Sequence, residues 1–261
     1  MSTQSLIKLQ GVSHVYVSEN EANLAVRHID LTVEKGEFIS LVGPSGCGKT
    51  TVLSSIAGLI TPTEGEVIIK GQTLTHPTPS VGYMLQADYL FEWQNILENV
   101  LIGVKVMDLD QKTRQQKEKY AHFLLQEMGL SEYKEHLPSQ LSGGMRQRAA
   151  LVRTLVTNPD ILLLDEPFSA LDYQTKLKLE DLVFDTLKKH EKTAVLVTHD
   201  IAESIAMSDR IVVLDQRPGE IKGIVDVPAH IRNCLPFEAR EQEGFNALFH
   251  KIWKELDQDE S

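Results

Sequence analysis

Phe38-Ile39-Ser40-Leu41-Val42-Gly43-Pro44-Ser45-Gly46-Cys47-Gly48-Lys49-Thr50-Thr51 is the stretch that decides the fold. Phe38 to Val42 are mostly apolar and end at a glycine, the length and boundary of a buried strand. From Thr50 onward, Thr-Thr-Val-Leu-Ser-Ser-Ile-Ala reads as a helix. The loop between them suits phosphate. Gly43, Gly46 and Gly48 let the backbone turn so that successive amide N–H groups converge, and the following helix adds the positive end of its dipole. Lys49 supplies a full charge, and Thr50 places a hydroxyl where a magnesium ion bridging terminal phosphates needs a ligand. Gly43 to Thr50 therefore has P-loop spacing in the strand-loop-helix context that spacing requires.

Size and composition narrow the class. The chain has 261 residues and 42% apolar content, enough for a buried core in one large domain or two small ones. A net charge of −11 argues against nonspecific nucleic-acid binding through a basic face, so no nucleic-acid partner is expected. Cys47 and Cys234 lie far apart without metal-ligand spacing, which points away from a disulfide and toward a reducing compartment. Met1-Ser2-Thr3-Gln4-Ser5 lacks the basic and apolar regions of a signal peptide, and no apolar run approaches the ~18 residues of a membrane span. The expected place is the cytoplasm, with another chain holding this one at a membrane if it works there.

Outward from the loop, Ile7, Leu9, Val15 and Val17 share one parity, and Ile29, Leu31 and Val33 alternate with Asp30 and Thr32, the pattern of half-buried antiparallel strands. Turns at residues 34–37 and 61–65 lead into the loop strand and into a strand at residues 67–69. Another short strand spans residues 81–85 and stops at Gln86. Residues 87–157 are different in texture, with long helical patterns and no strand candidate; residues 110–128 read as an amphipathic helix. Strands return at residues 161–164, 194–198 and 211–214 around a helix at residues 173–189, the alternation of a parallel sheet with crossovers. After an irregular stretch, Phe245, Leu248, Phe249, Ile252, Trp253 and Leu256 mark a last helix, expected to pack on its own domain.

Two further constellations carry chemistry. Ile161-Leu162-Leu163-Leu164 ends in Asp165 and Glu166, adjacent carboxylates that are costly at a buried strand end unless they face a ligand site. Asp165 suits a water-mediated magnesium contact, and Glu166 suits a general base that polarises water in phosphoryl transfer. Leu141-Ser142-Gly143-Gly144-Met145 precedes a helical run from Arg146 to Val156, placing Ser142, Gly143 and Gly144 at a second helix N-terminus suited to phosphate. One nucleotide meets both helix starts only if the chain bends far or a second copy supplies the other half.

The order Gly43 to Thr50, Gln86, Leu141 to Met145, Ile161 to Glu166, Ser169-Ala170-Leu171-Asp172 and His199 resembles the nucleotide-binding subunit of ATP-binding cassette transporters, over about residues 6 to 215. The resemblance implies an α/β fold with a P-loop NTPase (RecA-like) core, a parallel sheet, an antiparallel β subdomain and a helical insert carrying the signature stretch. It implies one nucleotide-binding domain: core residues 1–86 and 158–215, helical residues 87–157 and a tail at 216–261. It further implies ATP and Mg2+, and a head-to-tail homodimer in which each ATP lies between the loop at Gly43, Pro44, Ser45, Gly46, Cys47, Gly48, Lys49, Thr50 and Thr51 of one copy and Ser142, Gly143 and Gly144 of the other. By the same resemblance Tyr16 stacks on adenine, Gln86 reaches magnesium and the attacking water, His199 contacts the γ-phosphate, and Asp172 sits at the dimer seam. Met145 stands where the family most often has Gln, beyond the expected donor groups.

A finer resemblance, carried by Gln86 to Trp93, Asn95 to Val100, Pro138-Ser139-Gln140 and Arg217-Pro218-Gly219-Glu220-Ile221, is to the ATPases of nitrate, sulfonate, taurine and thiamine-precursor importers. It implies integral membrane permease subunits as partners, an extracytoplasmic solute-binding protein acting indirectly, and a place on the cytoplasmic face of the membrane. Leu90, Phe91 and Trp93 would line the groove for a permease helix, and Arg217-Pro218-Gly219 would mark the cargo class. The alternative is the ATPase of another ABC system, an exporter or a soluble cassette protein. Paired cassettes or long coiled-coil insertions would mark the soluble type, and neither occurs here.

Overall fold

The computed structural model describes residues 5–18, 21–169 and 171–257. Ala170 of the Ser169–Asp172 stretch, the first four residues of the N-terminus and the acidic end at 258–261 lie outside the described residues. In chain order the elements are β1 (Ser5–Val17), β2 (Ala22–Glu34), β3 (Phe38–Val42), α1 (Lys49–Ile56), β4 (Glu64–Ile69), β5 (Gln72–Thr73), β6 (Val81–Met84), α2 (Ile96–Val106), α3 (Gln111–Glu127), α4 (Gly143–Val156), β7 (Ile161–Asp165), α5 (Tyr173–Lys189), β8 (Thr193–Val197), α6 (Ile201–Met207), β9 (Arg210–Leu214), β10 (Ile221–Asp226), α7 (Ala229–Arg232), α8 (Pro236–Ala239) and α9 (Phe245–Asp257). Short 3-10 turns occur at Ser131–Tyr133 and Pro138–Gln140. The chain divides into two compact units, Met1–Thr78 with Glu180–Ser261, and Pro79–Leu179.

In the first unit the antiparallel sheet runs β2-β1-β4-β5. Ile7 pairs with Val33 and Leu9 with Leu31, all of them buried. The expected parity does not last to the end of β1. The register shifts between Leu9 and Val12, after which Val12 is buried and Val17 is 79% exposed. A bulge moves the following side chains to the other face, so Val15 and Val17 do not continue the row begun by Ile7 and Leu9.

The same unit contains the loop strand. All five residues of β3 are buried, as expected for a strand covered on both faces. It pairs in parallel with β8 on one side and β9 on the other, Ser40 lying opposite Leu196 and Ile211. The antiparallel strand β10 extends the sheet beside β9. Its burial alternates without a break, but Gly223 stands on the inward row and Ile224 on the outward one, which is why it reads as irregular in the sequence. α6 is too short to declare a period; Asp200 starts it by accepting from the Glu203 N–H at 3.1 Å. α9 packs on its own unit, burying Phe245 and Ile252 with Ile205, Ile211 and Val213, while Trp253 remains 52% exposed.

The second unit holds the parallel pair β6 and β7, with Val81 opposite Ile161 and Met84 opposite Leu164. α4 packs on α2 and α3 through a face that includes Ala149, Val152, Leu155 and Val156. α2 opens with a full capping box: the Glu98 N–H donates to Asn95 Oδ1 at 2.8 Å, and the Asn95 N–H donates to Glu98 Oε2 at 3.0 Å. Among the described residues no helix is long and apolar enough to cross a membrane.

Candidate functional site

The phosphate loop adopts the turn its glycines allow. Past β3 the chain bends through Pro44 to Cys47, whose N–H donates to the Pro44 carbonyl at 3.3 Å. Gly46 and Gly48 have φ of +77° and +92°, a region that costs other residues about 1–2 kcal/mol. α1 begins at Lys49 behind Gly48, and no side chain caps it. The first N–H groups of a helix have no partners within it, so this start suits an external anion.

Lys49 is 9% exposed and donates to the Gly43 and Pro44 carbonyls at 2.8 and 2.9 Å. A phosphate oxygen can replace either carbonyl as the acceptor of this ammonium. Burial raises the Cys47 thiol above its ordinary pKa despite the neighbouring Lys49 charge, so Cys47 is a neutral packing group within the loop. The Tyr16 hydroxyl lies 3.3 Å from the Thr51 hydroxyl, which places this half-exposed ring beside the start of α1. His14 meets it edge-on, with ring centres 4.6 Å apart. His199, just past β8, joins Gly43, Pro44 and Ser45 in lining a pocket of 390 Å³ whose other wall includes Trp253 and Leu256 of α9. Tyr16, the loop and His199 thus gather around one helix start, and α9 is an unforeseen neighbour.

The second unit assembles the carboxylates. Asp165 ends β7 at 4% exposure and accepts a hydrogen bond from the Tyr83 hydroxyl of β6 at 3.4 Å. Glu166 follows at φ +48°, a conformation that costs a non-glycine residue about 1–3 kcal/mol. The turn takes its carboxylate out of the strand's alternation. The Gln86 amide then donates to Glu166 Oε2 at 3.1 Å, and the Ser169 hydroxyl donates to the Glu166 carbonyl at 3.0 Å. A carboxylate and an amide so paired can orient a water, one as acceptor of its proton and the other as a polar guide.

Ser142 caps α4 by accepting from the Met145 N–H at 3.4 Å. Ser142 and Gly143 are exposed. A Cβ on Gly144 would stand 2.7 Å from a Leu171 methyl, so the segment after Glu166 packs on the start of α4 through that glycine. Asp172 is exposed and accepts from the Thr175 N–H at 3.1 Å. Hydrogen bonds from the Thr175 hydroxyl and N–H hold its carboxyl below the ordinary carboxylate range.

Four positions were not foreseen from the sequence. Tyr83 lies beneath Asp165 because β6 and β7 pair in register. Arg146 and Arg153, two turns apart on α4, hold the segment that follows Gln86. Arg146 Nε is 3.1 Å from the Asp88 carboxylate, while Arg153 donates to the Asp88 and Tyr89 carbonyls at 2.5 and 2.8 Å. Their common helical face was the available signal. Asn99, fully buried, accepts from the Phe91 N–H at 2.7 Å and donates to the Phe91, Gln94 and Asn95 carbonyls. The loop so fixed holds Leu90 inside, whereas Trp93 is 75% exposed with its ring 5.1 Å from that of Phe91.

For magnesium, Thr50, Gln86 and Asp165 offer a hydroxyl, an amide oxygen and a carboxylate, the hard oxygen donors that this ion takes. Gln86 spends its amide nitrogen on Glu166, which leaves its oxygen as the donor. Residue by residue, the donor chemistry suits this ion.

A family model described as ABC transporter matches residues 26–169. An uncharacterized ABC transporter ATP-binding protein of Bacillus subtilis (strain 168), YtlC, is 55% identical over 253 residues, covering 97% of this chain and 96% of that protein. The aliphatic sulfonates import ATP-binding protein SsuB of Bacillus cereus (strain ATCC 10987 / NRS 248) is 34% identical over 252 residues, 96% of each chain. The dimeric post-hydrolysis structure of the ATP-binding cassette MJ0796, bound to ADP and Pi, is similar with a TM-score of 0.74 and 32% identity, over 86% of this chain and 100% of that one.

Proposed function

Because the chain belongs to the ABC transporter family, as an ATP-binding subunit and ATP hydrolase of P-loop fold, we propose that it powers import of a small solute of the nitrate, sulfonate, taurine or thiamine-precursor type. ATP lies with its terminal phosphates on the Gly43–Thr51 loop, Lys49 supplying charge and Tyr16 stacking on adenine. In this reading Thr50, Gln86 and Asp165 would hold Mg2+, which would supply positive charge to the phosphate oxygens. Glu166 accepts a proton from the attacking water, Gln86 orients that water, and His199 contacts the γ-phosphate. Ser142, Gly143 and Gly144 of a second copy complete the grip in a head-to-tail homodimer, with Asp172 at the seam. The products are ADP and phosphate.

The observation that carries the transport reading is a continuous tie within the second unit. Gln86, bonded to Glu166, leads directly into the segment that Arg146 and Arg153 of α4 hold, and that segment ends in the exposed Phe91–Trp93 pair. A permease helix seated on those rings would be mechanically joined to the hydrolytic glutamate and to the helix opened by Ser142. Residues 87–157 act in this reading as the helical subdomain that transmits closure, at the cytoplasmic face of the membrane, with a solute-binding protein on the far side.

The test is reconstitution with any membrane permease found encoded beside the gene. Co-purification with it, and ATP-dependent solute flux toward the ATPase side, are expected. Flux in the opposite direction, or no association with any membrane protein, would contradict the importer.

A further inference from the structure

The Arg217-Pro218-Gly219-Glu220 turn between β9 and β10 is a sequence motif to which the proposed cycle gives no task. It lies against the outside of the phosphate loop. Arg217 Nε donates to the Gly46 carbonyl at 2.9 Å, and a Cβ on Gly46 would stand 2.7 Å from the same guanidinium. Two residues on, buried Gly219 packs directly on the Cys47 carbonyl, where a side chain would overlap that oxygen.

The turn is itself anchored. The Gly219 N–H donates to the Ala25 carbonyl and the Arg27 N–H donates to the Gly219 carbonyl, both at 2.9 Å, and Arg27 pairs with Glu220. The same part of β2 reaches the far end of the loop, since a Cβ on Gly48 would stand 2.9 Å from the Ala25 carbonyl oxygen.

A peptide plane is rigid, and its C=O and N–H point in opposite directions. Covering the Gly46 and Cys47 carbonyls from outside therefore aims the Cys47 and Gly48 N–H groups away from the turn. The Cys47 N–H indeed points across the loop to the Pro44 carbonyl. Glycine at 46 would otherwise let that plane flip, presenting a carbonyl where an anion needs a donor.

We propose that Arg217 and Gly219 form a clasp that keeps the phosphate loop in its nucleotide-binding shape, with Arg217 a positioning residue acting through the Gly46 carbonyl. This rests on the reading of residues 43–51 as the nucleotide site. A guanidinium suits the task because its planar fork gives a directional N–H while lying flat over the glycine. The motif then has a task in the motor.

The full chain and its Arg217→Ala, Arg217→Lys, Gly219→Ala and Lys49→Ala variants are to be compared in ATPase kinetics and in equilibrium binding of a fluorescent ATP analogue. For Arg217→Ala, KM for ATP and Kd for the analogue should rise together by about 5- to 10-fold, the scale of a charge-assisted hydrogen bond discounted for exposure. The fall in kcat should be smaller than the rise in KM. Arg217→Lys, which keeps the charge without the fork, should recover only part of the affinity. Gly219→Ala should be worse than Arg217→Ala; if it does not fold, the exposed Arg217 series decides alone. Wild-type KM and Kd in Arg217→Ala, or a kcat loss at constant KM, would overturn the clasp. Lys49→Ala separates the two claims: unimpaired binding there means the site itself is misplaced, whereas lost binding there with intact Arg217→Ala binding removes the clasp alone.

Discussion

Two helices of this chain begin in ways that suit an anion, and they begin differently. α1 opens on Gly48 with no side-chain cap, beside a buried lysine, and the outer carbonyls of its loop are covered by Arg217 and Gly219. α4 opens on an exposed serine that caps its own helix through a long bond to Met145. The first start is fixed by neighbours in its own unit. The second keeps its helix intact while leaving a hydroxyl and helix-end donors that a stronger acceptor can recruit. In the proposed reading, a chain with one built-in grip and one outward-facing grip completes a site by meeting another copy.

Substitutions can break or sharpen this contrast. Glu166→Gln should slow steady-state phosphate release by about 100-fold or more, the scale of a lost general base, with ATP still bound. Unchanged release would remove Glu166 from that role. Lys49→Ala should weaken ATP binding by about 10- to 100-fold, as expected for charged hydrogen bonds, measured by titration of the single subunit. Ser142→Ala should instead lower kcat by about 10-fold with single-copy ATP affinity intact. If it weakened that affinity as Lys49→Ala does, the contrast between the two helix starts would collapse. Trp93→Ala should leave hydrolysis by the isolated chain within about twofold while reducing coupled transport several-fold, since the ring is exposed and meets the ring of Phe91. Lost hydrolysis in the isolated chain would make Trp93 a packing residue. Asn95→Ala should cost about 1 kcal/mol of stability in a denaturant titration by removing the capping box of α2.

Local chemistry was the legible part of the sequence. The apolar run of β3, the glycines of the loop, the acids ending β7 and the serine opening α4 each declare themselves within a few residues. The structure brings Tyr16, His199 and the loop together in one unit, and Gln86 and Glu166 in the other. What failed was whatever depends on register or distant contact. The shift after Leu9 reverses the faces of β1, which no alternation count can detect. β10 hides because Gly223 stands on its inward row and Ile224 on its outward one, and α6 is too short for a period. Arg217 meets Gly46 across 171 residues of chain, so its work is invisible until the β9–β10 turn is folded back on the loop.

The central claim, that a catalytic centre is complete only between two copies, is tested most directly by sedimentation of the Glu166→Gln protein saturated with ATP and Mg2+. A shift from monomer to dimer on adding nucleotide, absent when Ser142→Ala is combined with Glu166→Gln, is the predicted result. A strictly monomeric protein under saturation, with its permease present as well as without it, would contradict the claim.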